Sequence, residues 1–325
     1  MKGSNPGVVV IGRNEGERLV ACLQSITRDT ADIVYVDSGS TDSSVDAAAK
    51  IGAFVVKLDM TRPFTAARAR NEGFAALKAR RQDIRFVQFV DGDCTLTEGW
   101  LVEGLAFLEE HPEVAVVCGR RRERFPTASV YNQLCDLEWN TPVGEAVACG
   151  GDSLVRVAAF EAANGFRPQL IAGEEPELCL RMREKGWKIW RLDAEMTRHD
   201  AAISRFAQWW FRCVRCGYGY AEVVRMHWAS PLAIWSRETK RAVFWGGVLP
   251  AGILAASLVE PVFLSVFLVY LLQIGRIASA RRISSSQSWT YAVLITVAKF
   301  AELQGILKYH WRRCLGRTGT LIEYK

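Results

Sequence analysis

Apolar and polar positions follow two different periods along the first two hundred residues. Short runs rich in β-branched side chains, GVVVIG at 7–12, DIVYVD at 32–37, AFVVKL at 53–58, IRFVQFV at 84–90 and VAVVCG at 114–119, recur at intervals. Between them lie stretches such as EGERLVACLQSI and SVDAAAKIG, whose apolar residues return at helical spacing. Strands alternating with helices in this way predict an α/β fold, a mainly parallel sheet covered by helices on both faces. Ligands of such sheets sit beyond the carboxyl ends of the strands. Those ends are polar and glycine-rich each time: Gly12-Arg13-Asn14-Glu15, Asp37-Ser38-Gly39-Ser40 and Asp91-Gly92-Asp93.

The pattern changes near residue 205, and 1–203 is read as one domain. In 204–236 aromatics and arginines alternate at helical spacing, and seven of the eleven tryptophans fall between Trp187 and Trp245. An aromatic core would concentrate tryptophan too, but the segment that follows favours an amphipathic helix region at a membrane interface. In the last part, 237–325, an apolar block runs over 242–259 and 262–275, broken by Glu260-Pro261. A single crossing takes about 20 residues, so the block predicts a transmembrane hairpin of about 242–259 and 262–280; the short second arm leaves a re-entrant hairpin open. Arg237, Lys240 and Arg241 precede it and Arg276, Arg281 and Arg282 follow it, which puts both ends in the cytoplasm. Residues 289–307 carry Lys299, Glu302 and Gln304 and read as an amphipathic helix lying in the interface, before a basic tail.

Charge agrees with that division. The net charge is +6, yet from Arg276 onward nine Lys/Arg stand against two Asp/Glu, so the basic excess belongs to the tail. It suggests a membrane surface before nucleic acid, for which no module signature is present. The nine cysteines, odd in number and mostly within apolar runs, fit reduced side chains in a cytosolic compartment. Cys213 and Cys216 form a CxxC without a second pair at metal-ligand spacing, and read as a helix face. The N-terminal apolar stretch is too short for a signal peptide, so the first domain is expected to stay in the cytoplasm.

The strand ends carry the candidate chemistry. A dinucleotide-binding domain would show GxGxxG after the first strand, where this chain has GRNEG. Asp91 and Asp93 flank a glycine that lets the backbone turn, so at least one can meet a metal; a solvated turn would look the same. Mg²⁺ or Mn²⁺ takes few protein carboxylates and fills its shell with water and phosphate oxygens, so two aspartates suit a nucleotide diphosphate. Asp37 ends the second strand where a carboxylate can accept a base N–H, and Ser38 to Thr41 form a tight polar turn, which an N-cap alone would also explain. TAARARNEGFAAL carries Arg68, Arg70 and Asn71 on an amphipathic helix, with the arginines able to reach phosphate oxygens. GRRRERF, 119–125, is either a lining of the site entrance or a charged loop near anionic lipid.

Taken in order, RNE, VDSGSTD, ARARNEG, FVDGDC, CGGDSLVR, GEEPELCLRMREKGW and the later His199 resemble the family 2 glycosyltransferases of the GT-A (Rossmann-like) fold, over roughly residues 7 to 200. The resemblance implies a nucleoside-diphosphate sugar donor, usually a UDP-sugar, and inversion at the anomeric carbon. It implies nucleotide-sugar contacts from Asn14, Glu15, Asp37, Ser38, Arg70, Asp91 and Gly92, and a metal, Mg²⁺ or Mn²⁺, on Asp93 with His199. The family's Glu-Asp pair is here Glu174-Glu175, which puts Glu175 on the general-base position, one methylene longer than usual, with Glu174 beside it. An acidic first helical turn would by itself favour glutamates there. Gly151 and Asp152 are expected on the acceptor side or near the diphosphate.

Gln208 and Arg212 partly match the QxxRW motif of processive synthases and are given the same acceptor-side or diphosphate expectation. Two or three spans cannot easily enclose a polymer channel, so single-residue transfer is favoured over processive synthesis. The expected protein is a membrane-anchored transferase working at the cytoplasmic face on a lipid or lipid-linked acceptor. An inactive nucleotide-sugar-binding scaffold and a nucleotidyltransferase are the competing readings.

Overall fold

The computed structural model of the protein describes residues 5–26, 32–280 and 285–316. Arg281, Arg282 and the basic tail beyond 316 lie outside the described residues. The chain divides into two compact units, Met1–Ala202 and Ile203–Lys325.

The first unit opens with the predicted alternation: β1 (Gly7–Gly12), α1 (Glu17–Ile26), β2 (Ile33–Asp37), α2 (Ser44–Ile51), β3 (Phe54–Lys57), α3 (Ala66–Arg80) and β4 (Phe86–Asp91). It continues with β5 (Cys94–Leu96), α4 (Trp100–Glu110), β6 (Val114–Glu123), α5 (Val130–Trp139), β7 (Gly144–Ala146), β8 (Ser153–Arg156), α6 (Val157–Ala162), α7 (Glu174–Glu184) and β9 (Lys188–His199). Among the described residues these strands form one sheet in the order β3-β2-β1-β4-β8-β6-β9-β5, with β7 on β9. β1 to β4 are parallel, and β6 is parallel to β9. β8 runs antiparallel between β4 and β6, which makes a mostly parallel sheet mixed. β5 and β7, three residues each, are too short to leave a period in the sequence.

Helices on both faces explain why the strands read as continuous apolar runs. Val9, Val34, Val36 and Phe89 are buried on one face with Ala67 and Leu77 of α3. Val8, Val10, Tyr35 and Val90 are buried on the other with Leu19 and Leu23 of α1. Both faces being closed, the polar positions of this sheet collect at its carboxyl edge.

The second unit is helical: α8 (Phe206–Met226), α9 (Ser236–Val243), a π-helical turn (Phe244–Val248), α10 (Leu249–Ser257), a 3₁₀ segment (Pro261–Phe267), α11 (Leu268–Ser279) and α12 (Ser285–Cys314). The apolar block thus breaks where Glu260-Pro261 interrupts it. Among the described residues two segments, Pro261–Ser279 and Ser286–Cys314, are long and apolar enough to cross a membrane. The second contains residues 289–307. Its polar residues are satisfied by close neighbours: Lys299 Nζ lies 2.7 Å from Glu302 Oε2, and Trp210 Nε1 donates to Gln304 Oε1 at 2.8 Å. Leu258, Val259, Leu264, Leu271 and Leu272 are exposed, an apolar surface that water would not favour.

α8 and α12 pack in backbone contact. A Cβ on Gly217 would land on the Glu302 carbonyl, and one on Gly305 on the Val214 carbonyl. Tyr218 and Tyr309 meet edge to face along the same seam at 5.3 Å. Gly305→Val is expected to force the helices apart and cost about 1–3 kcal/mol, the usual range for overpacking. A lower Tm of the purified protein in detergent, with faster proteolysis of α12, is the expected result.

Candidate functional site

Register brings the strand ends together. β1 and β2 pair Gly12 with Asp37, and β1 and β4 pair Ile11 with Asp91. Asp37 is buried, and its carboxylate closes the turn after β2, accepting N–H bonds from Gly39 (3.1 Å) and Ser40 (3.0 Å) and the Tyr35 hydroxyl at 3.1 Å. Burial and the Asp37 charge push the Tyr35 phenol well above its ordinary range. Asn14, with φ 55, joins this loop to that of β1: its N–H donates to Ser40 Oγ (2.9 Å) and its Oδ1 accepts from Thr41 N (2.7 Å). Ser38 donates its N–H to Gly12 O at 3.0 Å. Glu15 pairs with Arg18 at 2.7 Å and packs its Cγ against Gly12 and Gly92. The loops that were expected to meet a nucleoside are therefore tied to each other, with Asn14 exposed at their rim.

Behind them lies a network of buried charges. Arg70, 2% exposed on α3, is held by Asp91 Oδ1 (2.7 Å), Glu174 Oε1 (3.0 Å) and Glu175 Oε1 (3.0 Å). Nη1 and Nη2 of Arg70, expected on phosphate, are directed at these three carboxylates, while its Nε is buried without a hydrogen-bond partner. Asp91 is equally committed, since its other oxygen meets Arg121 Nη2 at 3.2 Å. Asp152 is wholly buried; Oδ1 accepts the Asp91 N–H (3.0 Å), and Oδ2 accepts from Arg121 Nη2 (2.7 Å) and Thr197 Oγ1 (2.8 Å). The contact with acceptor or diphosphate expected of Asp152 is accordingly replaced by a supporting one, acting through Arg121 and the Asp91 backbone. Gly151 fits where nothing larger could: a Cβ there would lie 2.7 Å from Asp91 Oδ2 and 3.1 Å from Glu175 Oε1.

These groups set one another's protonation. Burial opposes the charge of Arg121, but Asp152 and Asp91 outweigh it, and the guanidinium stays cationic. Burial likewise opposes ionisation of Asp152, and Arg121 outweighs it, holding the carboxyl below the usual range. Glu175 goes the other way: burial, then the Glu174 charge, raise it from 4.5 to about 7, against the pull of Arg70. A carboxyl that exchanges its proton near neutrality is suited to general-base work.

Asp93 and His199 meet across β5 and β9, whose register pairs Cys94 with His199. His199 Nε2 lies 3.3 Å from Asp93 Oδ2, and Trp139 packs edge to face on the imidazole at 4.9 Å. Asp93, Cys94 and His199 each offer a ligand atom, all within 4.8 Å of one another. Burial, then Asp152, push the Cys94 thiol far up, so it stays protonated and is a poor ligand. His199 Nδ1 is buried without a hydrogen-bond partner, so the ring is oriented by packing while Nε2 faces the aspartate. One carboxylate and one imidazole form a donor set that fits a divalent cation whose remaining ligands are oxygens. A second triplet, Asp91, Cys94 and Asp152, is as tight, but Arg121 already occupies it.

Arg121, Thr197 and Trp139 were not singled out in the sequence. Arg121 sits in the charged tract 119–125, and what turns it inward is a shift of the β6–β9 register on either side of Arg120, which sequence spacing does not reveal. Gln208 and Arg212 lie in the second unit on α8, where Gln208 Oε1 accepts the N–H groups of Ser204 and Arg205 at 3.0 Å and caps the helix.

Comparison with known proteins bears on the family and the fold. Residues 7–149 match the family described as Glycosyl transferase family 2. The chain is 22% identical over 182 residues to the O-antigen chain rhamnosyltransferase RfbN of Salmonella typhimurium, a match covering 52% of this chain and 56% of that protein, so it spans about half the length of the curated relative. Among solved structures, the mannosyltransferase PcManGT from Pyrobaculum calidifontis, in complex with GDP-Man and Mn²⁺, superposes with a TM-score of 0.58 at 16% identity, covering 95% of this chain and 88% of that one. S. aureus TarS 1-349 in complex with UDP-GlcNAc gives 0.52 at 14% identity, covering 97% and 93%. At such identities the likeness speaks to the fold, which is that of the GT-A enzymes.

Proposed function

We propose that the chain, whose residues 7–149 match the family 2 glycosyltransferases, transfers a sugar, with inversion, from a nucleoside-diphosphate sugar to a lipid or lipid-linked acceptor at the cytoplasmic face of the cell membrane. The observation that carries the reading is the pairing of a carboxyl titrating near 7, Glu175, with a separate carboxylate–imidazole pair, Asp93 and His199. A base and a cation site are what direct displacement of a diphosphate requires.

In this reading Asp93 and His199 hold Mg²⁺ or Mn²⁺. The cation supplies charge neutralisation for the departing diphosphate. Glu175 takes the proton of the acceptor hydroxyl as that oxygen attacks the anomeric carbon. Arg70 fixes the carboxylate and Glu174 keeps its affinity for a proton high. The loops of Asn14, Asp37 and Ser38 form the nucleoside end, a UDP-sugar being the expected donor. The membrane placement is supported by the two apolar segments and by the exposed leucines and valines of the second unit.

Asp93→Ala tests the cation site. With Mn²⁺ present, binding of the preferred donor, found by screening UDP- and GDP-sugars, is expected to weaken at least tenfold, and nucleotide release on membrane lipids to be lost. Unchanged metal-dependent binding and turnover in Asp93→Ala would mean that the cation is held elsewhere.

A further inference from the structure

The foot of the apolar block carries a feature the transfer reaction does not use. Ser236, Arg237, Lys240 and Arg241 of α9, with Phe244 and Trp245 of the π-helical turn, line a cavity of about 510 Å³. Residues 237, 240, 241 and 244 are spaced i, i+3, i+4 and i+7, hence on one helix face, and all four are exposed. None of the three cations has an ion-pair partner among the described residues.

Three like charges on one helix face repel one another. Cations at the end of a helix are usually compensated by its exposed carbonyls. Here that compensation is missing, because the backbone continues helically from Val243 through Phe244–Val248 into Leu249–Ser257. The remaining source of relief is an anion in the cavity.

What lies next along the helix says which anion. Beyond Arg241 the exposed side chains turn apolar, with Phe244, Val248, Leu254 and Leu258 in succession. A face that passes from cations to hydrocarbon within two turns matches a molecule with a phosphate at one end and acyl chains at the other. A soluble phosphate would gain nothing from the apolar half. The cavity wall is held in place: the Tyr270 hydroxyl donates to the Trp245 carbonyl, and the two rings meet edge to face at 5.6 Å.

We infer that this cavity binds the phosphate of an anionic membrane phospholipid, with Arg237, Lys240 and Arg241 on the headgroup and Phe244 and Val248 against its chains. The inference rests on the membrane association proposed above. Native mass spectrometry of the full chain in detergent, titrated with phosphatidylglycerol or phosphatidylcholine of identical acyl chains, tests it. Phosphatidylglycerol is expected to bind at least tenfold more tightly. The triple variant Arg237→Gln, Lys240→Gln, Arg241→Gln is expected to lose that preference, and Arg276→Gln on α11 to keep it.

Equal affinities, an Arg276→Gln variant as impaired as the triple variant, or full displacement of the lipid by millimolar inorganic phosphate would each overturn the inference. Flotation separates this outcome from failure of the parent reading. A wild-type chain that floats with phosphatidylcholine vesicles yet shows no lipid preference sinks the headgroup site alone. One that associates with no vesicle sinks both.

Discussion

Glu175→Gln is expected to lower sugar transfer by a factor on the order of 10³ while leaving donor binding within about threefold, since general-base contributions run from about 10² to 10⁴. The amide keeps the shape but takes no proton. Arg70 loses one of its carboxylates and retains Asp91 and Glu174, so the network survives the change. The pH dependence follows from the raised carboxyl, which burial and Glu174 move from 4.5 to about 7. Only the ionised form acts as base, so transfer by wild type rises as pH climbs through about 7. Stability moves oppositely: between 4.5 and about 7 the folded chain holds a proton that the unfolded chain has released, so stability falls as pH rises. Initial rates and urea midpoints from about pH 5 to about pH 8 check both signs. A Glu175→Gln protein with wild-type turnover would remove Glu175 from the reaction and pass the role to Glu174, whereas a wild type inactive on every donor and lipid would favour the scaffold reading.

Arg70→Met is expected to be the most destabilising single change in the first unit. It leaves Asp91, Glu174 and Glu175 crowded around an apolar side chain, and removing one partner of a buried ionic cluster costs about 3–5 kcal/mol. Three carboxylates then share the space of one guanidinium, so lowering the pH to protonate them is expected to restore part of the loss. Urea midpoints at about pH 5 and about pH 8 measure it. Arg70→Lys should recover less than its charge suggests, because an ammonium cannot present a planar fork to these carboxylates, two on Nη1 and one on Nη2. A midpoint for Arg70→Met equal to wild type would show that the three acids find other partners.

The fold was legible where burial on both faces left long apolar runs, in β1, β2, β4 and β6. It was illegible where a strand is three residues long, as β5 and β7 are. The site divides similarly. Asp37, Asp91 and Asp93 stand out because a carboxylate following an apolar run is locally conspicuous. That Asp93 and His199 touch depends on antiparallel pairing of segments about a hundred residues apart, where a motif supplies order and no register. Arg70 and Asp152 illustrate a different limit. Their residue types are right for binding phosphate or acceptor, but each is enclosed by charges from other elements, and enclosure is a property of packing. Arg121 was hidden because its neighbours in sequence, Arg120 and Arg122, pair with Asp193 and Asp136 at the protein surface.

The seam between α8 and α12 carries a consequence for synthesis of the chain. Gly217 is made 88 residues before Gly305, an interval of about 5–20 s at ordinary translation rates. During it α8 has its small-residue groove open and no cognate helix to fill it. A chain released before Gly305, or one whose last helix arrives late, presents that groove to whatever is nearby. Quality-control proteases are expected to recognise such chains first along α8.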